Sequence, residues 1–555
     1  MRLIHLQVDN FRGISRIALS LEADRTVLFG ENNWGKTSLI EALARCLGPG
    51  AAAGARFDVD DFHHDATGVA AKWLAITLTF GDDEPQPLPL SPRLTSLAWR
   101  DRKRRWRLSL RIAAHRNGDG NNVVVRRELL GPAGKVRRHP EADALACELV
   151  ERHPVLRLRE LQLSQWLAQP PHDVAPIALD NGEAPAETVQ RTFEALLQQP
   201  HKVGPGVLQQ GIAAMRELLW RHADRLHQPS VQRLAEDIAA APVTFRDHAS
   251  LLDIANRAGS STQQLALLFL LGSLLEARGP SGLHDGEMPL LLVEDPETHL
   301  HPTQLIQLWG LVEQLPVQKL VTTNSGELLA SFPHHSLRRL VRGDDKVFVY
   351  QLGRDALSRQ DARKVGFHVR ANRPNSLFAR TWLLVEGETE FWLLPELARR
   401  YGVNLGALGI RSVEFAQAGL APLIKFADAF GIRWHLITDG DDAGRMYANK
   451  TRALLHGRDE ARHLTVLPSR DIEHYLFENG FDDVYREAAH WTRGPLPDTA
   501  ELIHRAIRRE AKPGMALAIA EAAEQRGKAS IPPLLARLFD TLAELAQDED
   551  ARETR

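Results

Sequence analysis

The feature that most constrains the fold is a phosphate-loop motif near the start of the chain. Residues 30–38 are Gly-Glu-Asn-Asn-Trp-Gly-Lys-Thr-Ser and fit the pattern G-x-x-x-x-G-K-[ST]. The apolar residues 26–29 predict a short buried strand before the motif, and residues 39–47 predict a helix after it. A glycine-rich turn without a ligand is the alternative, but the complete motif between a strand and a helix favours a phosphate site. The sequence therefore predicts an α/β domain that binds a nucleoside triphosphate.

The residue types of this loop suit a triphosphate and its magnesium ion. Glycines allow backbone N–H groups to turn inward around a phosphate at a helix N-terminus, where negative charge is favoured. Lys36 is expected to reach the β- and γ-phosphates, and the Thr37 hydroxyl is expected to bind Mg²⁺. The candidate nucleotide-binding residues of the loop are Gly30, Asn32, Asn33, Gly35, Lys36, Thr37 and Ser38.

The bulk composition is that of an ordinary cytoplasmic protein with several domains. The net charge of −3 over 555 residues gives no general basic character, so a nucleic-acid site must be a local patch. Cys46 and Cys147 are the only cysteines, which fits a reducing compartment and excludes a disulfide framework. The N-terminus lacks a secretory leader, and the longest apolar run, residues 265–271, is too short to span a bilayer. We therefore expect a cytoplasmic protein without a membrane partner.

Changes of pattern along the chain predict four segments. Residues 1–140 are β-rich and form the first segment of the phosphate-loop domain, an ATPase domain. Residues 141–248 have helical spacing, which predicts an insertion that is either a dimerisation or regulatory arm or a bundle packed on the main domain. Residues 249–370 return to the ATPase domain. After a charged stretch at 354–373, strands and helices alternate through residues 371–555, which predicts a parallel sheet with a C-terminal helical extension.

Two further stretches carry the chemistry of a phosphate-loop enzyme. A small, hydroxyl-rich turn around Ser260 and Ser261 opens a helix, so it either aims N–H groups at a phosphate or caps that helix. The apolar residues 289–293 predict a buried strand that ends at Glu294 and Asp295. Acids at the end of such a strand handle Mg²⁺ and the attacking water in phosphate-loop enzymes.

Acidic residues also follow two predicted strands in the last segment. Residues 381–385 predict a strand followed directly by Glu386, and residues 434–438 predict one followed by Asp439 and Asp441. Because the carboxyl ends of parallel strands meet at one sheet edge, these carboxylates are expected to converge. They would repel one another unless Mg²⁺ or Mn²⁺ neutralised them. Solvated loop acids are the alternative, which the position of both groups directly after buried strands disfavours.

The order of motifs through about residue 350 resembles the ABC-type ATPase head shared by SMC and RecF proteins. The resemblance implies that Glu294 binds Mg²⁺, that Asp295 positions water, and that the turn at residues 259–263 is the signature motif, which acts across a homodimer. Three departures weaken the expectation of fast hydrolysis more than that of ATP binding. The turn lacks the LSGGQ form, the acid pair is Glu-Asp, and Asn324 stands where the family has a switch histidine.

A glutamate after the first strand and D-x-D after the third resemble the marks of a Toprim domain. A Toprim domain after an ABC-type head resembles the OLD (overcoming lysogenisation defect) family of nucleases, and the VEGETE form that contains Glu390 resembles its nuclease branch. The resemblance implies a further metal-binding acid, for which Glu473 is favoured over Asp471, and a lysine, Lys512, that stabilises charge in the transition state. The implied metal-binding residues are Glu386, Glu390, Asp439, Asp441, Asp471, Glu473 and, with ATP, Thr37, and the implied catalytic residues are Glu386, Asp439, Asp441, Lys512 and Asp295.

The expected fold class is α/β: an ABC/SMC-type ATPase domain with a helical insertion, followed by a Toprim parallel-sheet domain. The expected function is an ATP-regulated, divalent-metal-dependent DNA endonuclease or exonuclease in phage defence or DNA repair. The expected cofactors are ATP with its Mg²⁺, and Mg²⁺ or Mn²⁺ at a two-metal nuclease site that Ca²⁺ could occupy as a non-native ion. The expected partners are DNA, a second copy of the chain, and a helicase or another defence protein. The alternative is a RecF/SMC-like DNA-binding ATPase whose Toprim domain binds DNA without cutting it.

Overall fold

The computed structural model describes two long stretches of the chain. They are residues 1–158, without 49, 66, 82–91 and 118–121, and residues 288–548, without 299–301, 303–304, 307–308, 310–311, 314–316, 344–345, 368, 370–373 and 492–497; Glu187, Thr188, Arg191, Gln210 and Ala214 are described between them. The chain divides into two compact units, residues 1–324 with 340–349 and residues 325–339 with 350–555. Most of the predicted helical insertion, and the turn with Ser260 and Ser261, lie outside the described residues.

The elements of the described chain alternate as an α/β fold requires. The strands are β1 (Arg2–Phe11), β2 (Ile14–Ser20), β3 (Arg25–Phe29), β4 (Trp73–Gly81), β5 (Trp99–Arg100), β6 (Trp106–Asn117), β7 (Asn122–Leu130), β8 (Val155–Leu158), β9 (Leu290–Glu294), β10 (Gln318–Thr322), β11 (Leu337–Arg342), β12 (Val347–Tyr350), β13 (Thr381–Val385), β14 (Ile410–Glu414), β15 (Arg433–Thr438) and β16 (Leu464–Val466). The helices are α1 (Lys36–Leu47), α2 (Pro92–Leu97), α3 (Ala142–Glu151), α4 (Gly326–Ser331), α5 (Arg359–Val365), α6 (Glu388–Tyr401), α7 (Leu420–Ala429), α8 (Asp442–Leu454), α9 (Ile472–Leu476), α10 (Asp482–Ala488), α11 (Thr499–Arg526) and α12 (Pro533–Gln547).

An antiparallel sheet forms the β-rich start of the chain. Its strands run in the order β2-β1-β4-β6-β5, and β7 pairs with β6. Alternate residues of β4, such as Ile76 and Phe80, are fully buried, which matches the two-residue period of a strand with one face in the core. Arg105 and Arg107 both pair with the carboxylate of Asp101, at 3.1 and 2.8 Å. Asp101 therefore neutralises part of the positive charge of these two arginines.

A second sheet carries the phosphate loop, in the order β12-β11-β3-β10-β9-β8. β10 pairs in parallel with both β3 and β9, and β8 pairs in parallel with β9. Leu290 to Val293 are all buried, as expected for a strand covered on both faces. Because parallel strands end at the same edge, the loop after β3, the acids after β9 and the residues after β10 are brought together.

A third sheet forms the centre of the second unit. Its order is β14-β13-β15-β16, and every neighbouring pair is parallel. The pairing of Leu384 with Leu436 places the carboxyl ends of β13 and β15 side by side. The predicted fold class is thus confirmed as α/β, with a phosphate-loop sheet followed by a separate parallel sheet.

The C-terminal helices complete the core of this second unit. One buried apolar cluster joins β13 to α6, α11 and α12 through side chains such as Leu383, Leu397, Ile519 and Leu542. These positions recur every three or four residues along the helices, so each helix presents an apolar stripe to the sheet. None of the described helices has the length and apolar content needed to cross a membrane.

His435, in the middle of β15, is a fully buried neutral imidazole. Its Nδ1 lies 2.9 Å from the Arg462 carbonyl oxygen and its Nε2 lies 2.8 Å from the Thr465 hydroxyl. A neutral ring satisfies both contacts when Nδ1–H donates and Nε2 accepts. Burial lowers the pKa of His435 to about 4. Because the folded state disfavours the proton, this residue contributes stability above pH 6.5 that is lost as the pH falls towards 4.

We predict that His435→Asn, which retains a donor near Nδ1 but does not titrate, lowers stability at pH 7.5 by about 1–2 kcal/mol. The difference in unfolding free energy between variant and wild type should shrink as the pH falls from 6.5 to 4.5. Over this range the unfolded wild type takes up a proton on His435 that the folded state disfavours, whereas asparagine does not titrate. Urea unfolding at four pH values measures it. A difference that stays constant across this range would contradict the assignment.

Candidate nucleotide site and candidate metal centre

The phosphate loop encloses the ammonium group of Lys36. Lys36 is 5% exposed and donates to the Gly30 carbonyl oxygen at 2.5 Å and to the Asn324 Oδ1 at 2.8 Å. Burial lowers the pKa of Lys36, while the charges of Asp295, Glu297 and Glu31 oppose that shift. The loop thus holds a desolvated cation at the amino end of α1, which is the chemistry a polyphosphate needs.

Glycine is required at two points of this loop. A Cβ atom on Gly30 would lie 2.6 Å from the Leu340 carbonyl oxygen, and Gly35 has a φ of 95° directly before α1. Thr37 is exposed in the first turn of α1, where its hydroxyl can meet a nucleotide-bound ion. The remaining predicted loop residues also lie on the loop or at the start of the helix: Asn32 and Asn33 are exposed, and Ser38 is half-buried.

The two acids after β9 have different surroundings. The carboxylate of Glu294 accepts from Arg157 at 2.8 Å, and Arg157 also donates to Glu41 at 2.7 Å. Asp295 has a φ of 39°, and its carboxylate accepts from the Thr322 hydroxyl at 3.0 Å. Only Asp295 of this pair is among the charges that influence the pKa of Lys36. Their implied roles in Mg²⁺ and water binding stay predictions.

The sequence did not single out Glu297, which lies beside Asn324 at this edge. Its carboxylate accepts from the Thr323 hydroxyl at 2.9 Å and from the Asn324 backbone N–H. Burial raises the pKa of Glu297. In the sequence, only its position two residues after the acid pair pointed to a role for Glu297. Its partners Thr323 and Asn324 follow β10, whereas Glu297 follows β9, so their contact could not be inferred from local pattern. Asn324 is thereby fixed between Lys36 and Glu297.

The predicted acids of the second unit meet at the carboxyl ends of β13 and β15. Glu386 directly follows β13, and Asp439 directly follows β15. Burial, followed by the charges of four neighbouring carboxylates, raises the pKa of Asp439 from 3.8 to about 8. Those neighbours are Glu390, Glu386, Asp471 and Glu473. The structure therefore brings these candidates together, and their mutual repulsion disfavours full ionisation at neutral pH.

Helix N-termini hold three of the acids in place. Asp441 is the N-cap of α8 and accepts from the Gly444 N–H at 2.7 Å. Asp471 is the N-cap of α9 and accepts from the His474 N–H at 2.9 Å. Glu390 accepts from the Gly387 N–H at 3.1 Å, at the start of α6. Each contact engages one carboxylate oxygen, so the second oxygen of each group stays available for a cation.

Lys512 forms the cationic side of the cluster, next to Glu473. Glu473 is 5% exposed, accepts from the Thr389 hydroxyl at 3.0 Å, and lies 3.5 Å from the Lys512 ammonium. Burial disfavours the charge on Lys512, but nearby Glu473 and Glu390 raise its pKa. α11 is interrupted at Ala511, whose φ of 59° is strained for a residue with a side chain. Thr389 had no local signal in the sequence, because its partner Glu473 lies 84 residues away.

The donor set suits a hard divalent cation. One Glu386 oxygen is buried and has no hydrogen-bond partner among the described residues, and burial raises the pKa of Glu386. Carboxylate oxygens are the ligands that Mg²⁺ and Mn²⁺ prefer. Within the described ranges no three His, Cys, Asp or Glu side chains converge tightly enough to enclose one ion as they stand. Rotation of the acid side chains would be needed to bring their oxygens around one ion.

Two family models match the chain. "Protein of unknown function (DUF2813)" matches residues 1–376, and "Overcoming lysogenization defect protein-like, TOPRIM domain" matches residues 377–441. The second match contains Glu386, Glu390, Asp439 and Asp441.

The chain is similar to one protein by sequence and to several solved structures by fold. The "Uncharacterized protein YbjD" of Escherichia coli (strain K12) is 37% identical over 572 residues, which cover 99% of each chain. The C-terminal region of the Burkholderia pseudomallei OLD protein is 21% identical, with a TM-score of 0.26, over 30% of this chain and 99% of that one. The SMC head domain from Thermotoga maritima is 11% identical, with a TM-score of 0.31, over 64% of this chain and 100% of that one.

We predict that Asp439→Asn raises the thermal midpoint of the second unit at pH 8.5 in EDTA. The wild-type carboxyl prefers its proton in the folded state, so its stabilising effect is complete below pH 3.8 and is lost as the pH rises through about 8. Asparagine mimics the protonated form, and each kcal/mol relieved should add about 2–4 °C. The gain should be smaller at pH 5.5.

Differential scanning calorimetry at the two pH values, with and without Mn²⁺, measures this effect. Mn²⁺ should raise the midpoint of the wild type more than that of Asp439→Asn. Glu521→Gln removes the same charge from an exposed position of α11 and serves as the control. If the control gained as much as Asp439→Asn at pH 8.5, repulsion within the cluster would not be the cause.

Proposed function

Since the chain belongs to the DUF2813 family of proteins of unknown function and carries an OLD-like Toprim domain, we propose that it is an ATP-regulated, divalent-metal-dependent DNA nuclease. The observation that supports this most is the carboxylate cluster at the ends of β13 and β15. Burial and four neighbouring acids raise the pKa of Asp439 to about 8, which marks a site built to be completed by cations.

The roles of the acids follow from their positions. Glu386, Asp439 and Asp441 would hold Mg²⁺ or Mn²⁺, with Glu390, Asp471 and Glu473 supporting a second ion. A bound divalent ion supplies an activated water and charge compensation for phosphodiester hydrolysis. The α8 and α9 N-termini orient Asp441 and Asp471, and the Thr389 hydroxyl orients Glu473.

Lys512 is the cation that faces these acids. Its ammonium is half-exposed and 3.5 Å from Glu473, so it can turn towards a phosphate entering from solvent. There it would stabilise the negative charge that develops on the phosphate oxygens during cleavage. The neighbouring acids raise the pKa of Lys512, which keeps this role available at neutral and mildly alkaline pH.

The phosphate loop is the proposed regulatory input. Lys36 would exchange its contacts with Gly30 and Asn324 for the β- and γ-phosphates of ATP, and Thr37 would bind the accompanying Mg²⁺. Pairing of two chains around ATP, and partners such as a helicase or another defence protein, belong to the same proposal. So do a cytoplasmic location and a role in phage defence or DNA repair.

A second candidate is a DNA-binding ATPase whose Toprim domain does not cut. The observation that favours it is the engagement of one carboxylate oxygen each of Asp441, Asp471 and Glu390 in helix caps, which leaves fewer oxygens for metal ions. The two candidates differ in whether the acids are needed for chemistry.

We predict that Asp439→Ala/Asp441→Ala lowers metal-dependent cutting of plasmid DNA by about 100-fold or more, because both acids are proposed ligands. Purified full-length protein, supercoiled plasmid and either Mn²⁺ or Mg²⁺ are sufficient for the measurement. Asp442→Ala is the matched control, because its fully exposed carboxylate lies next in the chain and pairs with Arg445. Equal rates for the wild type and the double variant would leave the second candidate standing.

We predict that Lys36→Ala abolishes ATP binding, because it removes the buried cation of the loop. Basal cutting should remain measurable in this variant if ATP regulates the nuclease. Isothermal titration with ATP and the plasmid assay test the two statements separately. Complete loss of cutting by a folded Lys36→Ala protein would show that nucleotide binding is obligatory.

A further inference from the structure

An open cavity of about 910 Å³ lies in the second unit, between α4, α5 and the loop after β12. Its lining includes His334 and His335 at one side and the stretch from Leu352 to Phe367 at the other. The proposed nuclease and the phosphate loop use none of these residues. Several of its lining residues belong to the charged stretch at residues 354–373 that precedes the Toprim domain.

The charge of the cavity is positive. Arg354, Arg359 and Arg363 line it, and its described lining contains no aspartate or glutamate. Arg359 and Arg363 are four residues apart on α5, so their side chains share one face of the helix. Both are exposed, and neither is paired with a carboxylate in the part of the chain that the structure describes. Two guanidinium groups are therefore free to receive an anion.

The acid nearest to them in sequence does not neutralise this face. The Asp361 carboxylate accepts from the Ser358 hydroxyl at 2.8 Å, and its backbone N–H donates back to that hydroxyl at 3.1 Å. This reciprocal contact at the start of α5 directs Asp361 to the end of the helix. The planar guanidinium group offers paired donors that match phosphate oxygens, which makes a phosphate the favoured anion.

The rest of the cavity mixes polar side chains, such as Gln360, with apolar ones and carries an aromatic ring. Leu352 is buried and contributes to the floor, while Phe367 lines the cavity with 66% of its surface exposed. His334 is anchored in the wall by an edge contact with Phe426, whose ring centre is 5.2 Å away. An exposed phenyl ring beside arginines is the combination that proteins use to stack a base next to its phosphate.

We propose that this cavity binds a phosphate ester that carries a nucleobase, with Arg359 and Arg363 contacting the phosphate and Phe367 stacking on the base. The volume exceeds that of a lone phosphate and lies within the range of small-ligand sites. A free mononucleotide and one nucleotide of a single strand share this chemistry. The proposal goes beyond the nuclease and does not depend on it.

Binding is tested with the full chain in EDTA, where no metal-dependent cutting can occur. The probes are dTMP and a fluorescent, 5′-phosphorylated dT hexamer, both of which lack a triphosphate. We expect Arg359→Gln/Arg363→Gln to weaken hexamer binding by at least about tenfold in fluorescence anisotropy. Arg411→Gln/Arg537→Gln removes the same charge from exposed positions of the second unit and should change affinity by less than about twofold.

Two further variants separate the contacts. Phe367→Ala should weaken binding of the hexamer by about 5- to 100-fold but leave binding of inorganic phosphate unchanged. Gly353→Phe should block the cavity by bulk without altering charge, since a Cβ atom there meets only the Ala356 Cβ at 4.0 Å. This variant keeps the test decisive if the arginine pair fails to fold, which circular dichroism would show.

Competition identifies the source of the ligand. Displacement of the hexamer by dTMP at similar concentrations would identify a free nucleotide, and displacement by unlabelled hexamer alone would identify a strand. The proposal is overturned if neither probe binds the wild type. It is also overturned if Gly353→Phe binds normally, or if the control pair weakens binding as much as the cavity pair.

Discussion

The parallel pairing of β13 with β15 is the constraint on which the candidate metal centre depends. The register that joins Leu384 to Leu436 ends both strands at one edge and sets Glu386 beside the Thr438–Asp439 step. A shift of one residue would move the acids of one strand to the opposite face of the sheet. Both strands are buried on both faces, and a slip would misfit their side chains against the close-packed core. The packing of the core thus determines where the charges meet.

The same arrangement creates an electrostatic cost that the surrounding helices reduce. The acids lie within a few residues of three helix N-termini, whose unpaired N–H groups favour negative charge. The contacts of Asp441 with Gly444, of Asp471 with His474 and of Glu390 with Gly387 are of this kind. Lys512 adds a full positive charge. Ala511, the residue directly before Lys512, has a strained φ and interrupts α11 there. The helix caps and one lysine leave the cluster negative, so a cation still gains from binding.

The sequence predicted the parts of this site that depend on local pattern. β13 and β15 are continuous apolar runs followed by acids, so their ends and the positions of Glu386 and Asp439 could be inferred directly. Lys512 could be chosen only through resemblance to a family, since a lone lysine carries no local signal. Thr389, Arg157 and Glu297 were missed for a physical reason. Their partners come from elsewhere in the chain, as for Arg157 and Glu294, which are 137 residues apart.

The phosphate loop shows the opposite balance of charge. Here a single buried cation, Lys36, is held by carbonyl and amide oxygens and by the field of Asp295 and Glu297. A triphosphate can displace Asn324 from Lys36 only by offering a stronger acceptor, which its γ-phosphate does. Asn324 would then lose one of its two fixed contacts and keep the other, to Glu297. A nucleotide bound as proposed would therefore be coupled to the hydrogen bonds at the end of β10.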